Sequence, residues 1–318
     1  MVLREALAGL VIALPFGAGI AVGADAEQPR PEFRFTDAAI VESSGLAVVD
    51  GLVVTVNDSG DEARVFTVDP ATGDTVGVTR WGTEPTDIEA LAPGEDGTVW
   101  VGDIGDNTAS RDTITVTRVP VGTGDRTVEA TAYELRYPDG ASDAEALLAH
   151  PGTGRLYVVT KGVFGAVVYA APVRLSAAAV NPLRKIGRAM PIVTDGAFLP
   201  DGEHVVLRDY GRAVVYDFPS FEAVAEVRLP AQQQGEGIAM TTDGHVLVSS
   251  EGQRAPVHDV ALPTPVAEEP SDQPTLRSRE GEELPQQEPR DRDPTPWLLG
   301  VGLAAVALVV LVRSLRPR

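Results

Sequence analysis

The sequence predicts an all-β protein, a β-propeller of five four-stranded blades. Three observations lead to this prediction: a hairpin pattern occurs five times, its starts lie 41 to 56 residues apart, and each repeat has room for four short strands. Four strands in each repeat of this length are typical of propeller blades. The repeats fall within residues 31–262, which we predict to be one domain.

Each repeat begins with an acidic residue or serine, followed by small and apolar residues, a turn rich in Gly, Asp and Pro, and a β-branched run. Turn residues between two short apolar runs indicate a hairpin. Six blades would require a sixth hairpin, which we do not find in the sequence. The five repeats start at Ser44, Glu89, Glu145, Asp195 and Glu236.

The fifth repeat has too few strands to complete a blade. We expect the segment EFRFTDAA, residues 32–39, to supply its missing outer strand. Pairing between the two ends of the domain would close the ring, which otherwise has an open seam.

Both ends of the chain contain apolar segments that we separate from the fold. Residues 1–24 are predicted to be a signal peptide, with an uncleaved anchor or a buried helix as alternatives. Residues 296–313 are predicted to be a transmembrane helix, with a buried core helix as the alternative, and residues 314–318 a cytoplasmic tail rich in arginine. Residues 263–295, dense in proline and charge, are predicted to form a disordered acidic stalk.

These segments place the protein in the cell membrane as a single-pass protein, with the bulk of the chain extracytoplasmic and the C-terminus cytoplasmic. The formal net charge of −20 argues against nucleic acid as a partner. The chain has no cysteine, which excludes disulfides and thiolate chemistry. We expect a monomer that binds a protein or small-molecule ligand of unknown identity.

The first strand of each propeller blade lines the central channel, so the acidic repeat starts should converge on one axis. Acidic residues two positions earlier would add a partial second ring. Crowded carboxylates need protons, a cation or good solvation, and calcium requires six to eight oxygen ligands. We therefore predict Ca²⁺ as the one cofactor, with the candidate ligands Asp87, Glu89, Asp143, Glu145, Asp195 and Glu236.

The ends of the second strands should reach the same channel mouth. Two cationic residues there, Lys161 and Arg208, are suitable partners for the carboxylates. Solvated carboxylates in a wide channel are the alternative to a bound cation, and Asx turns are an alternative explanation for the Asp- and Asn-rich stretches. The candidate residues of the channel mouth are Glu42, Asn57, Asp58, Asp103, Lys161, Arg208 and Asp209.

Several motifs with known chemistry are absent from the sequence. There is no EF-hand loop, no G-x-S-x-G elbow and no phosphate-binding P-loop. The four histidines have no helical i, i+4 partner, which argues against a histidine-ligated zinc site.

Two short motifs resemble those of bacterial exported β-propeller proteins of the phytase-like or esterase-like group. The stretch N-D-S-G at residues 57–60 matches one of them, with Val56 in place of a histidine. The stretch G-D-I-G-D-N at residues 102–107, followed by Arg111, matches another completely. A third, D-W-E-D-I-A, keeps only its first two acids, at Asp87 and Glu89. The resemblance implies a propeller fold more strongly than a reaction.

Two functions follow as hypotheses. The first is a membrane-anchored binding or scaffold module with an acidic, calcium-binding channel mouth. The second is a metal-dependent phosphoester or ester hydrolase that uses the same carboxylates, with the cation activating a water. The sequence leaves open whether the protein is an enzyme.

Overall fold

The computed structural model describes residues 31–58 and 60–263, and they form the five-bladed propeller that the repeats predict. The predicted signal peptide, transmembrane helix and cytoplasmic tail, and all of the stalk beyond Pro263, lie outside the described residues. Within the described part, no helix has the length and apolarity needed to cross a membrane.

The strands follow the chain in the order that the repeats predict. Strand β1 is Phe33–Arg34. The first blade contains β2 (Ser43–Val49), β3 (Leu52–Asn57), β4 (Arg64–Asp69) and β5 (Asp74–Trp81). The second blade and its insertion contain β6 (Ile88–Pro93), β7 (Thr98–Asp103), β8 (Ile114–Pro120), β9 (Arg126–Val128) and β10 (Thr131–Arg136).

The remaining three blades are built in the same way. The third contains β11 (Ala144–Ala149), β12 (Leu156–Thr160), β13 (Ala166–Ala170) and β15 (Arg184–Ala189), and the short β14 (Asn181–Pro182) precedes β15 in the chain but joins the sheet of the second blade. The fourth contains β16 (Asp195–Phe198), β17 (His204–Arg208), β18 (Arg212–Asp217) and β19 (Ala223–Arg228). The fifth contains β20 (Gly235–Met240), β21 (Val246–Ser250) and β22 (Pro256–Val260).

Two short strands join the outer edge of the preceding blade. Strand β9 pairs in parallel with β5, and β14 pairs in parallel with β10. Each covers an edge that would otherwise present unpaired backbone groups, which is how sheet proteins avoid aggregation through their edges.

The ring is closed at its centre by the five inner strands, β2, β6, β11, β16 and β20, which contact one another in cyclic order. Gly45 in β2 is needed for the close approach to β6: a Cβ atom at this position would lie 2.5 Å from the backbone nitrogen of Leu91. The main apolar clusters lie between adjacent blades, one at each of the five seams. Burial of these faces supplies the main driving force for closing the ring.

The ring is closed at its edge by the N-terminal segment, as predicted. Phe33 pairs with Val257 in an antiparallel ladder between β1 and β22. Further backbone bonds join the Glu32 N–H to the Val257 carbonyl and the Phe35 N–H to the Ala255 carbonyl. Because Phe35 is fully buried, this closure is also anchored by apolar packing.

Four of the five inner strands have a break in register near their N-terminal end, and these breaks contain the acidic or serine residue that starts each repeat. They lie between Ser43 and Leu46, Ile88 and Ala90, Ala144 and Ala146, and Gly235 and Ile238. A β-bulge changes the direction of the extra residue's side chain. Strand β16 pairs with β17 without a break, beginning at Asp195 and Arg208.

Candidate functional site

The site lies where the inner strands begin and the second strands end. Three bulged positions, Glu89, Glu145 and Glu236, carry carboxylates that are each less than 5% exposed. Asp58 follows β3, Asp87 precedes β6, and one carboxylate oxygen of each lies within 4.8 Å of the other and of a Glu89 oxygen. These three residues bring together the oxygen ligands that a hard cation prefers.

Glu89 lies at the centre of the electrostatic crowding. Its burial raises its pKa well above the ordinary value, and the nearby carboxylates of Glu145, Asp58 and Asp87 raise it further. Its closest polar partner is Ser44, whose hydroxyl lies 3.2 Å from Glu89 Oε2 and 2.8 Å from its backbone carbonyl oxygen. Burial and the neighbouring carboxylates therefore both favour the protonated form of Glu89 when no cation is bound.

Lys161 supplies a positive charge to the site. Its Nζ donates a hydrogen bond to Glu145 Oε1 at 2.7 Å and lies 5.6 Å from the centre of the Tyr210 ring. Burial works against the charged lysine, but the attraction of Glu145 outweighs it and raises the pKa of Lys161. Burial raises the pKa of Glu145 even though Lys161 opposes the shift. The single positive charge of Lys161 thus lies near several carboxylates and does not neutralise them all.

Glu236 has one oxygen with a partner and one without. Its Oε1 accepts a hydrogen bond from Gln234 Nε2 at 3.1 Å, whereas no described residue bonds its buried Oε2. The same Gln234 nitrogen donates to Glu251 Oε1 at 2.6 Å. Burial and the carboxylates of Glu236, Asp58 and Glu42 raise the pKa of Glu251 to about 7. A buried acceptor without a donor costs free energy, which a bound cation would recover.

The G-D-I-G-D-N stretch builds the wall beside the three clustered carboxylates. Asp103 accepts hydrogen bonds from the backbone N–H groups of Thr86 and Asp87, both at 2.9 Å, and forms an ion pair with Arg111 at 2.8 Å. It thereby fixes the segment that carries Asp87. Gly105 is required by space, because a Cβ atom there would lie 2.4 Å from Asp87 Oδ2.

The second acid of this stretch also has a positioning role. Asp106 accepts hydrogen bonds from the backbone N–H groups of Ser110 and Arg111, which lowers its pKa against the opposing effect of burial. Its own N–H donates to Asp143 Oδ1 at 2.8 Å, so the candidate ligand Asp143 is held by the motif.

The prediction that Asp195 is a metal ligand at the mouth is not supported by its geometry. Its carboxylate is completely buried and accepts hydrogen bonds from the N–H groups of Gly196 and Ile238, both at 2.8 Å. Because β16 has no bulge, this side chain connects the fourth and fifth blades instead of joining the crowded carboxylates.

Arg208 makes its direct hydrogen bonds elsewhere. Its fully buried guanidinium donates hydrogen bonds to the carbonyl oxygens of Gly237 and Ser249 and to Gln232 Oε1. Arg208 therefore connects the fourth blade to the fifth, and it acts on the acidic residues Glu236 and Asp195 through its charge.

Three further candidates of the channel mouth lie at a strand end, in a turn and on the surface. Asn57 bonds the backbone of Val41, Glu42 and Ala39, so it holds the segment before β2 in place. Asp209 accepts hydrogen bonds from Gly211 and Arg212 in the turn after β17. Glu42 is exposed and contributes its charge to the surroundings of Glu251.

Sequence reasoning missed Gln234, Glu251 and Tyr210. Gln234 lies two positions before Glu236, which is the register of Glu42, Asp87 and Asp143, so the repeat alignment could have identified it. Glu251 directly follows β21, at a second-strand end that the alignment had already marked. Tyr210 lies in an irregular turn, and no repeat pattern marks it.

Comparison with known proteins shows no family for this chain. No family model and no curated protein matches the chain. Among solved structures, a Xanthomonas campestris gluconolactonase is 14% identical with a TM-score of 0.43, covering 76% of this chain and 97% of that one. A streptogramin B lyase is 11% identical with a TM-score of 0.39, covering 70% of this chain and 65% of that one. A luciferin-regenerating enzyme is 12% identical with a TM-score of 0.38, covering 73% and 78%.

Proposed function

We propose that this protein is a cation-binding β-propeller that holds one divalent cation at the mouth formed by Asp58, Asp87 and Glu89. Calcium is the proposed ion, because every candidate ligand is a hard oxygen donor and neither cysteine nor histidine takes part. The observation that carries the proposal is the convergence of these three carboxylates within 4.8 Å.

The unpartnered Glu236 Oε2 gives independent support. This buried oxygen belongs to another carboxylate of the same mouth and has no hydrogen-bond partner among the described residues, which costs free energy. A cation, or a water bound to one, would supply the missing contact and lower that cost. The raised pKa values of Glu89 and Glu145 have the same cause, which is negative charge buried without enough positive charge. Calcium would replace the protons that these groups otherwise retain.

We further propose that the propeller acts as a binding module outside the cytoplasm. The proposed signal peptide, residues 1–24, would export it, and the proposed membrane span, residues 296–313, would hold it at the surface on the stalk. Protease added to intact cells should then remove the propeller while leaving a short membrane-bound fragment. A propeller protected until the cells are lysed would contradict this placement.

Calorimetric titration of the full chain with calcium chloride at pH 7 tests the cation site. We expect one calcium per chain and release of protons, measured by comparing buffers of different ionisation enthalpy. Glu89→Gln should weaken binding at least tenfold, because it removes a charged ligand. The charge-matched control is Asp50→Asn, which changes an exposed turn residue whose positive φ of 52° asparagine tolerates. No heat and no change in melting temperature at millimolar calcium would remove the proposal.

A second candidate function is metal-dependent hydrolysis of a phosphoester or ester. It is favoured by Lys161 and the exposed Tyr210, which place a cation and a phenol beside the carboxylates. There Lys161 would hold an anionic substrate while the metal activated a water. Phosphomonoesters and lactones, assayed with and without chelator, separate the two functions: turnover that the chelator abolishes indicates the hydrolase, and calcium binding without turnover indicates the binding module.

A further inference from the structure

The opposite mouth of the propeller has different chemistry. A cavity of about 470 Å³ lies where the inner strands end, and all five blades contribute to its wall. Its floor is aliphatic, formed among others by Leu46, Leu91, Leu147 and Ala197. A volume of this size with a mostly apolar lining is characteristic of small-molecule sites.

A second cavity, of about 360 Å³, adjoins the first between the second and third blades. Both cavities have Trp100, Arg118 and Gly154 in their walls, so the cleft continues the axial cavity outward. The rings of Trp100 and Tyr133 form its aromatic side, with their centres 5.6 Å apart.

Three arginines line this outer cleft. Arg118 donates hydrogen bonds to the Thr98 hydroxyl and the Glu95 backbone carbonyl, and Arg155 donates to the Ala171 carbonyl. Arg174 is exposed. None of these guanidiniums lies within 4.0 Å of a carboxylate of the described residues, in contrast to Arg64, Arg80, Arg111 and Arg212. The walls of the two cavities together hold these three arginines and one carboxylate, that of Glu95, so this part of the described surface carries net positive charge in a chain of net charge −20.

We propose that the cleft binds an amphipathic carboxylate, with its carboxylate at Arg118 and its apolar chain in the axial cavity. Arg118 is suited to this role because it lies in the wall of both cavities. Guanidinium groups match the planar geometry of a carboxylate, and the aliphatic floor gains by excluding water from the chain. The net charge of −20 disfavours anions elsewhere on the molecule, so binding depends on these arginines.

The quenching of Trp100 fluorescence in the full chain tests this site, with a bromine-labelled decanoate as the probe. Bromine quenches only at short range, and Trp100→Phe identifies the share of the signal from this residue. We expect saturable quenching by the carboxylate. Bromodecanol, which has the chain alone, and acetate, which has the head group alone and is measured by its displacement of the labelled decanoate, should both bind at least tenfold more weakly.

The variants distinguish charge from packing. Arg118→Met should weaken decanoate binding about tenfold or more, and the exposed Arg174→Gln, which cannot disturb the core, should weaken it severalfold. The matched control is Arg126→Gln, because Arg126 is not among the residues that line the two cavities and bonds the backbone carbonyls of Thr123 and Gly124. Absence of saturable quenching, equal binding of the alcohol, or equal affinity of Arg174→Gln and Arg126→Gln would overturn the proposal. Calcium plays no part in this test, so its outcome is separate from that of the acidic mouth.

Discussion

Glu236 in the fifth blade and Asp195 in the fourth occupy the same position of the repeat, yet the structure gives them different surroundings. Glu236 lies in a bulge and has one buried carboxylate oxygen that no described residue bonds. Asp195 lies in an unbroken ladder and has both oxygens bonded to backbone N–H groups. The backbone register, more than residue type, therefore decides which acidic residues are available to a ligand and which join the blades.

The same contrast separates the two cationic residues. Lys161 extends from the end of β12 and bonds the bulged Glu145, whereas Arg208, at the end of β17 opposite Asp195, bonds carbonyl oxygens of the fifth blade. In the fourth blade, both Asp195 and Arg208 thus bond the backbone of the fifth blade. The second, third and fifth blades leave their acids at the mouth.

We expect the largest loss of stability from a side chain added at Gly45, where strands β2 and β6 pack closely. Gly45→Val would place side-chain atoms against the backbone of Ala90 and Leu91, and should lower the free energy of unfolding by about 4 kcal/mol or prevent folding. Gly82→Val is the control, because the space around Gly82 is open. Urea denaturation measures both. Equal stability of the two variants would show that the inner ring is looser than the structure indicates.

The next largest effect is expected from substitutions that compare Asp195 with Glu236. Asp195→Leu leaves two buried N–H groups without an acceptor and should cost about 3 kcal/mol of stability, with calcium affinity little changed. Glu236→Gln should preserve or increase stability and weaken calcium binding. Urea denaturation and calorimetry on both variants check this. A loss of calcium affinity in Asp195→Leu together with a loss of stability in Glu236→Gln would contradict these roles.

A smaller effect is expected from pH. The carboxyls of Glu89, Glu145 and Glu251 have pKa values raised in the folded state, chiefly by burial, so the folded state binds more protons than the unfolded state above about pH 4.5. The stability that these three groups contribute is therefore fully present below the unfolded pKa and is lost as pH rises through the folded values, about 7 for Glu251.

Thermal melting with chelator present should accordingly show a melting temperature that falls by several degrees between pH 5 and pH 8. Calcium should restore most of the loss at pH 8 and little at pH 5, because protons compete with it. The double variant Glu89→Gln with Glu145→Gln should flatten the profile. A melting temperature that rises with pH in the wild-type protein would contradict the crowding of carboxylates at this mouth.

The smallest effect concerns the surface beside Lys161. Phe164 is 98% exposed, so Phe164→Ser should change the free energy of unfolding by less than about 0.5 kcal/mol and leave calcium affinity unchanged. The same denaturation and titration experiments apply. A loss above about 1 kcal/mol would mean that this loop packs against the propeller.

The fold was accessible from sequence because the blade repeat, the D-G and T-G turns and the short fifth repeat are each properties of residue type and spacing. The convergence of Glu89, Glu145 and Glu236 followed from the same alignment. The alignment did not predict the different surroundings of Asp195, because a bulge depends on how two strands pair and not on the identity of the acidic residue. For the same reason Lys161 and Arg208 looked equivalent, and the cleft at Arg118 was not predicted because it forms between blades.

The most direct test of the account is anomalous diffraction from crystals of the protein grown with calcium and then exchanged into manganese. We predict one strong peak about 2–2.6 Å from carboxylate oxygens of Asp58, Asp87 and Glu89. Asp195 should keep its hydrogen bonds to the backbone and stay out of the coordination sphere. The absence of a peak on these three carboxylates, or a metal bound by Asp195, would contradict the proposed cation site.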